Sequence, residues 1–271
     1  MILDAYLQKF AVACTKAGGW YGLDLFAGGG INWSEIRERE ISGSPLIGLD
    51  AKPPPATRLV ACETNGKAFE ALRHRTLRYG ERADVLQQDA NLAIDEILGR
   101  IPNKAPAFAF LDPEGSELKW ETIEAIANHK RGASPWKVEQ LILLPTDMGF
   151  VRLIPDYPEK VSGMYGPGDW QTIEQRRTAG KIDADQARGE YVQMYAKGLK
   201  DLGYETVLDR QIKKPNGSPM YFLLFATDHD AGERIMDHCF DRVRLRVNEE
   251  LGQAQLFPVT DGPRPTRLGE N

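Results

Sequence analysis

Apolar runs alternate with amphipathic stretches in the first half of the chain. The runs lack a strict alternation of polar and apolar positions, which is typical of strands that are covered on both faces. They span residues 20–26, 58–63, 83–89, 107–112 and 138–144. Between them, apolar residues recur at helical spacing over residues 67–79, 93–101 and 120–129. This repetition of strand and helix predicts right-handed crossover units and a mostly parallel sheet.

The pattern changes after residue 150. Residues 151–180 are rich in proline, glycine and charge, which predicts an insertion over the sheet edge, with residues 164–170 as a loop. The next predicted elements are a helix, two strands and a second helix, over residues 184–202, 206–213, 220–226 and 230–247. Residues 214–218 contain an Asn-Gly pair and predict a hairpin turn, so the two strands should be antiparallel neighbours. Residues 251–271 are predicted to be a flexible tail.

Five strands from crossover units and a terminal hairpin predict a doubly wound, mostly parallel α/β sheet of seven strands. This architecture resembles the class I methyltransferase type. Residues 1–250 are therefore expected to form one methyltransferase-like domain, with insertions at 31–43 and 151–180. Ligands of such sheets bind beyond the carboxyl ends of the strands, where the strand order reverses. Acidic residues stand at four of these predicted ends, namely Asp24, Glu63, Asp89 and Asp112.

Composition excludes several classes of protein. Hydrophobic residues make up 42% of the 271 residues and charged residues 27%, as in globular proteins rather than disordered chains. A membrane-spanning helix needs about 18 consecutive apolar residues, and no apolar run approaches that length. The first residues also lack the pattern of a secretory signal, so we expect a cytoplasmic protein. Three widely spaced cysteines and four histidines offer neither a disulfide framework nor the spacing of metal ligands. The net charge of -5 disfavours indiscriminate binding to nucleic acid, although local basic clusters could still track a phosphate backbone.

A glycine-rich loop follows the first predicted strand. Gly28 and Gly30 match the start of the dinucleotide fingerprint, but Trp33 replaces its third glycine, which leaves a nicotinamide dehydrogenase as a minor alternative. The loop instead resembles the S-adenosylmethionine loop of methyltransferases, and an acid such as Asp24 suits the ammonium and sulfonium of that ligand. The alternative interpretation is that the glycine-rich segment is an ordinary turn between a strand and a helix of an α/β fold. The predicted cofactor residues of this loop are Asp24, Phe26, Ala27, Gly28 and Gly30.

Two further strand ends carry candidate cofactor residues. Glu63, followed by Thr64, can accept two hydrogen bonds from ribose hydroxyls, as acids do at this place in other cofactor-binding sheets. Asp89, followed by Ala90, can accept a hydrogen bond from an adenine amino group. A helix cap is the alternative role of Asp89, and the two roles are compatible.

A loop of about a dozen residues, 31–43, is predicted before the first crossover helix. Ser44 as the N-cap and Pro45 as the first helical residue indicate where that helix begins. The loop either lies over the site or is a surface insertion.

The fourth strand ends in a turn that carries the predicted catalytic residues, Asp112, Pro113 and Glu114. In amine methyltransferases, acceptors in such a turn hold the target nitrogen with its lone pair toward the methyl group, and positioning supplies most of the catalysis. An aromatic residue usually follows the proline and stacks on a flipped base, whereas Glu114 occupies that place here. A simple strand terminator is the alternative role of Asp112 and Pro113.

The motifs together resemble the three-Cys-motif partner protein family, called TcmP. The matching segments, spread over residues 20–240, are LDLFAGGG, ISGSP, ACETN, QQDAN, FLDPEG followed by LKWETIEAIA, and SPMYFLLFATDHDAGERIM. The resemblance implies a class I methyltransferase fold, S-adenosylmethionine as cofactor and a radical-SAM-like protein with a three-cysteine motif as partner. Gly29 stands where the family usually has proline, and Glu114 where it has an aromatic residue. The usual aromatic form of that turn is similar to tRNA guanine-N2 methyltransferases, which suggests an exocyclic amine as target.

Two functions follow as expectations. The first is a methyltransferase that acts on an exocyclic amine of RNA or DNA; the second is a non-catalytic cofactor-binding partner of the three-cysteine protein. The segment Gln253–Phe257 also resembles the motif by which bacterial replication proteins bind the sliding clamp, with Ala254 in place of the usual leucine. A last apolar contact with the domain is the alternative role of that segment.

Overall fold

The structure is a computed structural model that describes residues 2–34, 38–51, 54–145, 157–213 and 219–252, with the side chains of the last segment described to residue 241. The strands are β1 Tyr21–Asp24, β2 Ile31–Ser34, β3 Arg39–Ser42, β4 Arg58–Cys62, β5 Ala83–Leu86, β6 Ala107–Leu111, β7 Glu139–Pro145, β8 Thr206–Lys213 and β9 Pro219–Thr227. The α-helices are α1 Ile2–Ala13, α2 Ser44–Leu49, α3 Gly66–Thr76, α4 Ile94–Gly99, α5 Trp120–Asn128, α6 Pro158–Tyr165, α7 Trp170–Thr178, α8 Ala184–Asp201 and α9 Asp230–Gly252.

Seven strands form one sheet in the order β5-β4-β1-β6-β7-β9-β8. The pairs from β5 to β7 are parallel, and β9 runs antiparallel to both β7 and β8. The chain moves outward from β1 through β4 to β5 and then returns to β6 on the other side of β1. The strand order therefore reverses between β1 and β6, where Leu23 pairs with Ala109.

The predicted fold class is confirmed. All seven predicted strands are present, and β8 has the predicted bounds. The two last strands are antiparallel neighbours, as the hairpin prediction requires. The predicted turn at 214–218 and the tail beyond residue 252, which includes the clamp-like segment Gln253–Phe257, lie outside the described residues.

The segment 31–43 is not the predicted loop. Its described residues form the ribbon β2–β3, in which Ile31 pairs with Ser42 and Trp33 with Glu40. The ribbon closes where Gly43 N donates a hydrogen bond of 2.8 Å to Gly30 O. Cross-strand pairing supplies inward-facing backbone hydrogen bonds in these strands without the main sheet, which is why a stretch with few buried side chains forms strands.

The predicted loop over 164–170 is present but shorter: residues 166–169 form a turn, whereas Met164, Tyr165 and Trp170 belong to the helices that flank it. Pro158 stands in the first turn of α6, which ends at Gly166 with a φ of 56°. Asp169 caps α7 by accepting a hydrogen bond of 3.1 Å from Thr172 N. Proline, glycine and aspartate thus mark helix ends here rather than a continuous loop. The side chains that these two helices bury are Val161, Met164, Tyr165, Trp170 and Ile173.

Helices cover both faces of the sheet. On one face, α4, α5 and α6 to α8 enclose the larger apolar core. On the other, α1 and α9 bury an aromatic cluster in which the ring of Tyr6 lies 5.3 Å from that of Phe108 and 5.1 Å from that of Phe225. Sequence analysis did not identify α1, although its buried residues recur at helical spacing. Within the described segments, none of the helices combines the length and the apolarity that crossing a bilayer requires.

Candidate functional site

Asp24 ends β1 at the point where the strand order reverses. Its side chain is 2% exposed, and its Oδ1 is buried without a hydrogen-bond partner among the described residues. Burial raises the pKa of Asp24 to about 7, and the charges of Asp112 and Glu63 add to the increase. Hydrogen bonds from the Ser44 side chain and the Phe26 backbone oppose it. A buried carboxylate with a free oxygen is costly, and a bound cation would offset that cost.

The Ser44 contact revises the predicted start of α2. The N-cap of this helix is Gly43, with Ser44 and Pro45 inside the first turn. The Ser44 hydroxyl is therefore available to the Asp24 carboxylate instead of capping its own helix.

The glycine loop is open at one glycine and packed at the next. Gly28 has a φ of 59°, and a Cβ built on it meets no described atom within 4 Å. Gly30 has a φ of 78°, and its Cβ would lie 2.8 Å from Leu72 Cδ1. The guanidinium of Arg75 donates a hydrogen bond to Gly29 O and holds the loop between them. Contacts with Leu72 and Arg75 thus hold the loop on the side of α3. The backbone at Gly28 stays accessible, as a cofactor-binding loop requires.

Glu63, directly after β4, is tied to the same loop. Its Oε2 accepts a hydrogen bond of 2.9 Å from Gly28 N, and its Oε1 accepts one of 2.6 Å from Asn65 N. Each carboxylate oxygen has a second lone pair, so the side chain keeps the capacity to accept from two hydroxyls. The neighbouring Thr64 is exposed, and the buried Ala27 links the loop to β4 through Cys62 O.

Asp89 lies in the turn between β5 and α4 and is exposed. Its Oδ1 accepts hydrogen bonds from Asn91 N at 2.8 Å and from Asn91 Nδ2 at 3.0 Å. Asp89 therefore caps this turn, whereas the N-cap position of α4 itself is Ala93. The adjacent Ala90 is buried. No hydrogen bond among the described residues reaches Asp89 Oδ2, so the capping role leaves one oxygen for a ligand.

The turn after β6 places Asp112 beside Asp24. Burial raises the pKa of Asp112 to about 6, and the charge of Glu114 contributes. Pro113 is buried, whereas Glu114 is exposed. Asp24 pairs with Phe110 of β6, so Asp112 follows two residues later at the same end of the sheet, and its charge contributes to the raised pKa of Asp24.

Sequence analysis missed Tyr221, which joins this region from β9. It pairs with Pro145 of β7, and its pKa is raised by burial and by the charge of Asp112. No local motif identifies this tyrosine. Only the antiparallel register of β9 brings it to the same edge of the sheet as Asp112.

A second buried carboxylate, Glu139, shows by contrast what is unusual about Asp24. Glu139 lies at the opposite edge of the sheet, and burial raises its pKa to about 7 as well. Tyr6 donates to its Oε2, and Thr227 donates to its Oε1 at 2.9 Å. Both oxygens of Glu139 are therefore satisfied within the protein, although it lines a cavity of about 240 Å³.

The structure thus brings together Asp24, Glu63 and Asp112 with the glycine loop, and it places Asp89 at the same edge through the end of β5. Despite this concentration of acids, the described part of the chain contains no group of three or more ligating side chains that could hold a metal ion. The donor set is acidic and partly buried, and it lies against an open backbone turn. It fits an organic cation with hydroxyl groups, and S-adenosylmethionine is such a ligand.

Comparisons with known proteins bear on the fold alone. No protein-family model and no curated protein matches the chain. The crystal structure of protein LPL1258 from Legionella pneumophila, described by the family model DUF519, is similar with a TM-score of 0.52 and 12% identity over 84% of each chain. The METTL16 methyltransferase domain has a TM-score of 0.44 and 12% identity over 84% of this chain and 66% of that one. An rRNA methylase from Streptococcus thermophilus has a TM-score of 0.39 and 11% identity over 78% of this chain and 88% of that one.

The arrangement of the sheet defines the fold. An antiparallel strand, β9, is inserted between β7 and β8 of an otherwise parallel sheet. Together with the reversal of strand order at β1 and β6, this arrangement is the one expected of class I methyltransferases. The chain therefore has a Rossmann-like fold of the class I methyltransferase type.

Proposed function

We propose that this protein is an S-adenosylmethionine-dependent methyltransferase that acts on an exocyclic amine of RNA or DNA in the cytoplasm. The observation that carries the proposal is Asp24, a carboxylate buried at the reversal of strand order with a free Oδ1. A fold stabilised only by its own contacts gains nothing from such a group, whereas a cationic cofactor offsets the desolvation of the carboxylate.

The cofactor residues have separate tasks in this proposal. Asp24 attracts the positive charge, Glu63 accepts from the ribose hydroxyls and Asp89 accepts from the adenine amino group. The backbone from Phe26 to Gly28 approaches the ligand closely, because the open side of Gly28 leaves room for it. When bound, S-adenosylmethionine supplies an electrophilic methyl group. Thr64 and Ala90, which follow Glu63 and Asp89 in the chain, complete the proposed set of cofactor residues.

Asp112 and Pro113 form the acceptor side. Pro113 fixes the turn, and the Asp112 carboxylate accepts hydrogen bonds from the amine, which turns the nitrogen lone pair toward the methyl group. The pKa of about 6 leaves Asp112 mostly ionised at neutral pH and able to accept. The choice of a nucleic-acid amine rests on the resemblance of this turn to amine methyltransferases.

Calorimetry with S-adenosylmethionine tests the cofactor. The wild type should bind, and Asp24→Asn and Glu63→Gln should each lower the affinity by about tenfold or more, since each removes a charge-assisted contact. Glu124→Gln is a matched control, because Glu124 is an exposed acid on α5. A wild type that does not bind, or an Asp24→Asn variant with unchanged affinity, would contradict the proposal.

One observation favours a second function, namely a cofactor-binding protein without catalysis of its own. Glu114 is exposed at the position where an aromatic residue would stack on a base, and its negative charge opposes a nucleic acid. In this alternative, consistent with the TcmP resemblance, the chain serves a radical-SAM-like protein with a three-cysteine motif. The sliding clamp, bound through Gln253–Phe257, is a further proposed partner.

Transfer of a tritiated methyl group separates the two functions. Incorporation into RNA or DNA by the isolated protein, lost in Asp112→Ala, supports the methyltransferase. Cofactor binding without incorporation, together with co-purification of the three-cysteine protein, supports the alternative.

A further inference from the structure

We propose that Asn91 is a positioning residue that orients Asp89 toward the adenine of the cofactor by anchoring it to helix α5. The inference rests on the proposed function, because it concerns the same cofactor site. It adds a residue that neither touches the cofactor nor belongs to the acids at the strand ends.

The Asn91 side chain uses all four of its hydrogen-bonding positions. Its Nδ2 donates to Asp89 Oδ1 at 3.0 Å and to Glu117 O at 2.9 Å. Its Oδ1 accepts from Lys119 N at 2.9 Å and from Thr122 Oγ1 at 2.8 Å. The carbonyl of Glu117 and the N–H of Lys119 fix the orientation of the Asn91 amide. If the amide were flipped, its NH₂ group would face the Lys119 N–H and its oxygen would face the Glu117 carbonyl.

These bonds join two segments that the sheet itself cannot hold together. Asp89 follows β5, whereas Glu117 and Lys119 follow β6, and two strands lie between β5 and β6. Three strand spacings separate them by about 14 Å, so no backbone ladder fixes one segment against the other. Asn91 makes this connection through side-chain bonds alone.

The connection also completes the start of α5. Lys119 is the N-cap of this helix and supplies no side-chain cap. Asn91 Oδ1 takes part of that role from the neighbouring loop by accepting from Lys119 N and from the buried Thr122. Asp89 is thus connected, through Asn91, to the N-terminus of the packed helix α5.

The same bridge leads on to the acceptor turn. Glu117 Oε2 accepts a hydrogen bond of 2.6 Å from Gly115 N, directly after Glu114. A continuous chain of hydrogen bonds therefore runs from Asp89 through Asn91 and Glu117 to Gly115. Asn91 N and Nδ2 both donate to Oδ1 of Asp89, which leaves the other oxygen, Oδ2, for the proposed ligand.

Selectivity for the adenine amino group is the test, since a merely structural residue would not change it. Affinities are measured by calorimetry for S-adenosylhomocysteine and for its inosine analogue, in which an oxygen replaces the amino group. The wild type should prefer the adenine form by about tenfold or more, the range expected for a hydrogen bond to a charged acceptor. In Asn91→Asp, which keeps the acceptor for Lys119 and Thr122 but loses both donors, the preference should fall to about twofold.

Thr122→Val is the matched control, because it removes one bond of Asn91 on the side of α5 and leaves the bond to Asp89. It should retain the wild-type preference. Asn91→Ala provides a second measurement if the added charge of Asn91→Asp prevents folding. Retained preference in the Asn91 variants, or equal loss in Thr122→Val, would overturn the inference. A wild type that binds neither compound would overturn the proposed function and this inference with it, whereas binding without preference overturns the inference alone.

Discussion

Replacement of Asp24 by asparagine should make the cofactor-free protein more stable while it weakens cofactor binding. The substitution keeps the size of the side chain and an oxygen that can accept from Ser44. It removes the ionisation of a group that is 2% exposed and has one buried oxygen without a partner among the described residues. An active-site group that costs stability is expected where a ligand, rather than the fold, explains its presence.

The size of the effect follows from the pKa of Asp24, which burial raises from 3.8 to about 7. One pKa unit corresponds to about 1.4 kcal/mol, so ionised Asp24 lowers the free energy of unfolding by up to about 4 kcal/mol. Because the folded pKa is the higher one, this loss sets in as the pH rises above about 4 and is complete above about 7. The stability advantage of Asp24→Asn should therefore increase by about 2.5 kcal/mol between about pH 5 and about pH 8.

Urea denaturation of dialysed wild type and variant at these two pH values measures the advantage directly. Titrating groups that do not interact with Asp24, such as Glu139 at the other end of the strands, are common to both proteins and cancel in the difference. In thermal melts, the change corresponds to about 5–10 °C for a chain of this size. An advantage that does not depend on pH, or a variant less stable than the wild type at alkaline pH, would refute the reasoning.

Two further predictions concern the glycine loop and the opposite edge of the sheet. Gly28→Ala should lower the free energy of unfolding by only about 1 kcal/mol, the cost of its φ, but reduce cofactor affinity by about tenfold. Gly30→Ala should cost about 3 kcal/mol, because its Cβ also meets Leu72; equal losses of stability in urea would contradict this difference. Glu139→Gln should gain stability over the wild type between about pH 5 and about pH 8, since burial places the pKa of Glu139 at about 7. The bond from Tyr6 can persist in this variant, so a decrease in its relative stability with pH would show that the charge of Glu139 stabilises the fold.

Much of the fold was predictable because apolar runs and helical spacing report burial directly. The central strands and β8 follow from this pattern, since a strand covered on both faces needs continuous apolar residues. The errors fell where order depends on local backbone bonds. The ribbon at 31–43 is stabilised by its own ladder, and α6 and α7 begin and end at prolines, glycines and a capping aspartate that also occur in loops.

The candidate site was predictable in part, for a similar reason. Asp24, Glu63 and Asp112 were found because parallel strands of known order bring their carboxyl ends to one edge. Their roles as cofactor and catalytic residues remain predictions. Tyr221 and Asn91 were not predicted. Tyr221 reaches the site only through the register of the antiparallel strand β9, and Asn91 matters only through its hydrogen bonds between two loops that are distant in sequence. Neither arrangement can be recognised from the residues that are adjacent in the sequence.

In the proposed function, Asp24 serves the cofactor and Asp112 serves the amine, and the two acids influence each other. In the free protein the two carboxyl groups are partly protonated near neutral pH, because burial disfavours both charges and each side chain lies next to other acids. A cation bound beside them favours their ionised forms and lowers both pKa values. Asp24 then becomes ionised, and the small protonated fraction of Asp112 that remains at neutral pH is lost as well. In the proposed function, the clustering of acids that destabilises the free protein thus strengthens the binding of a cationic cofactor, and cofactor binding in turn favours the accepting form of Asp112.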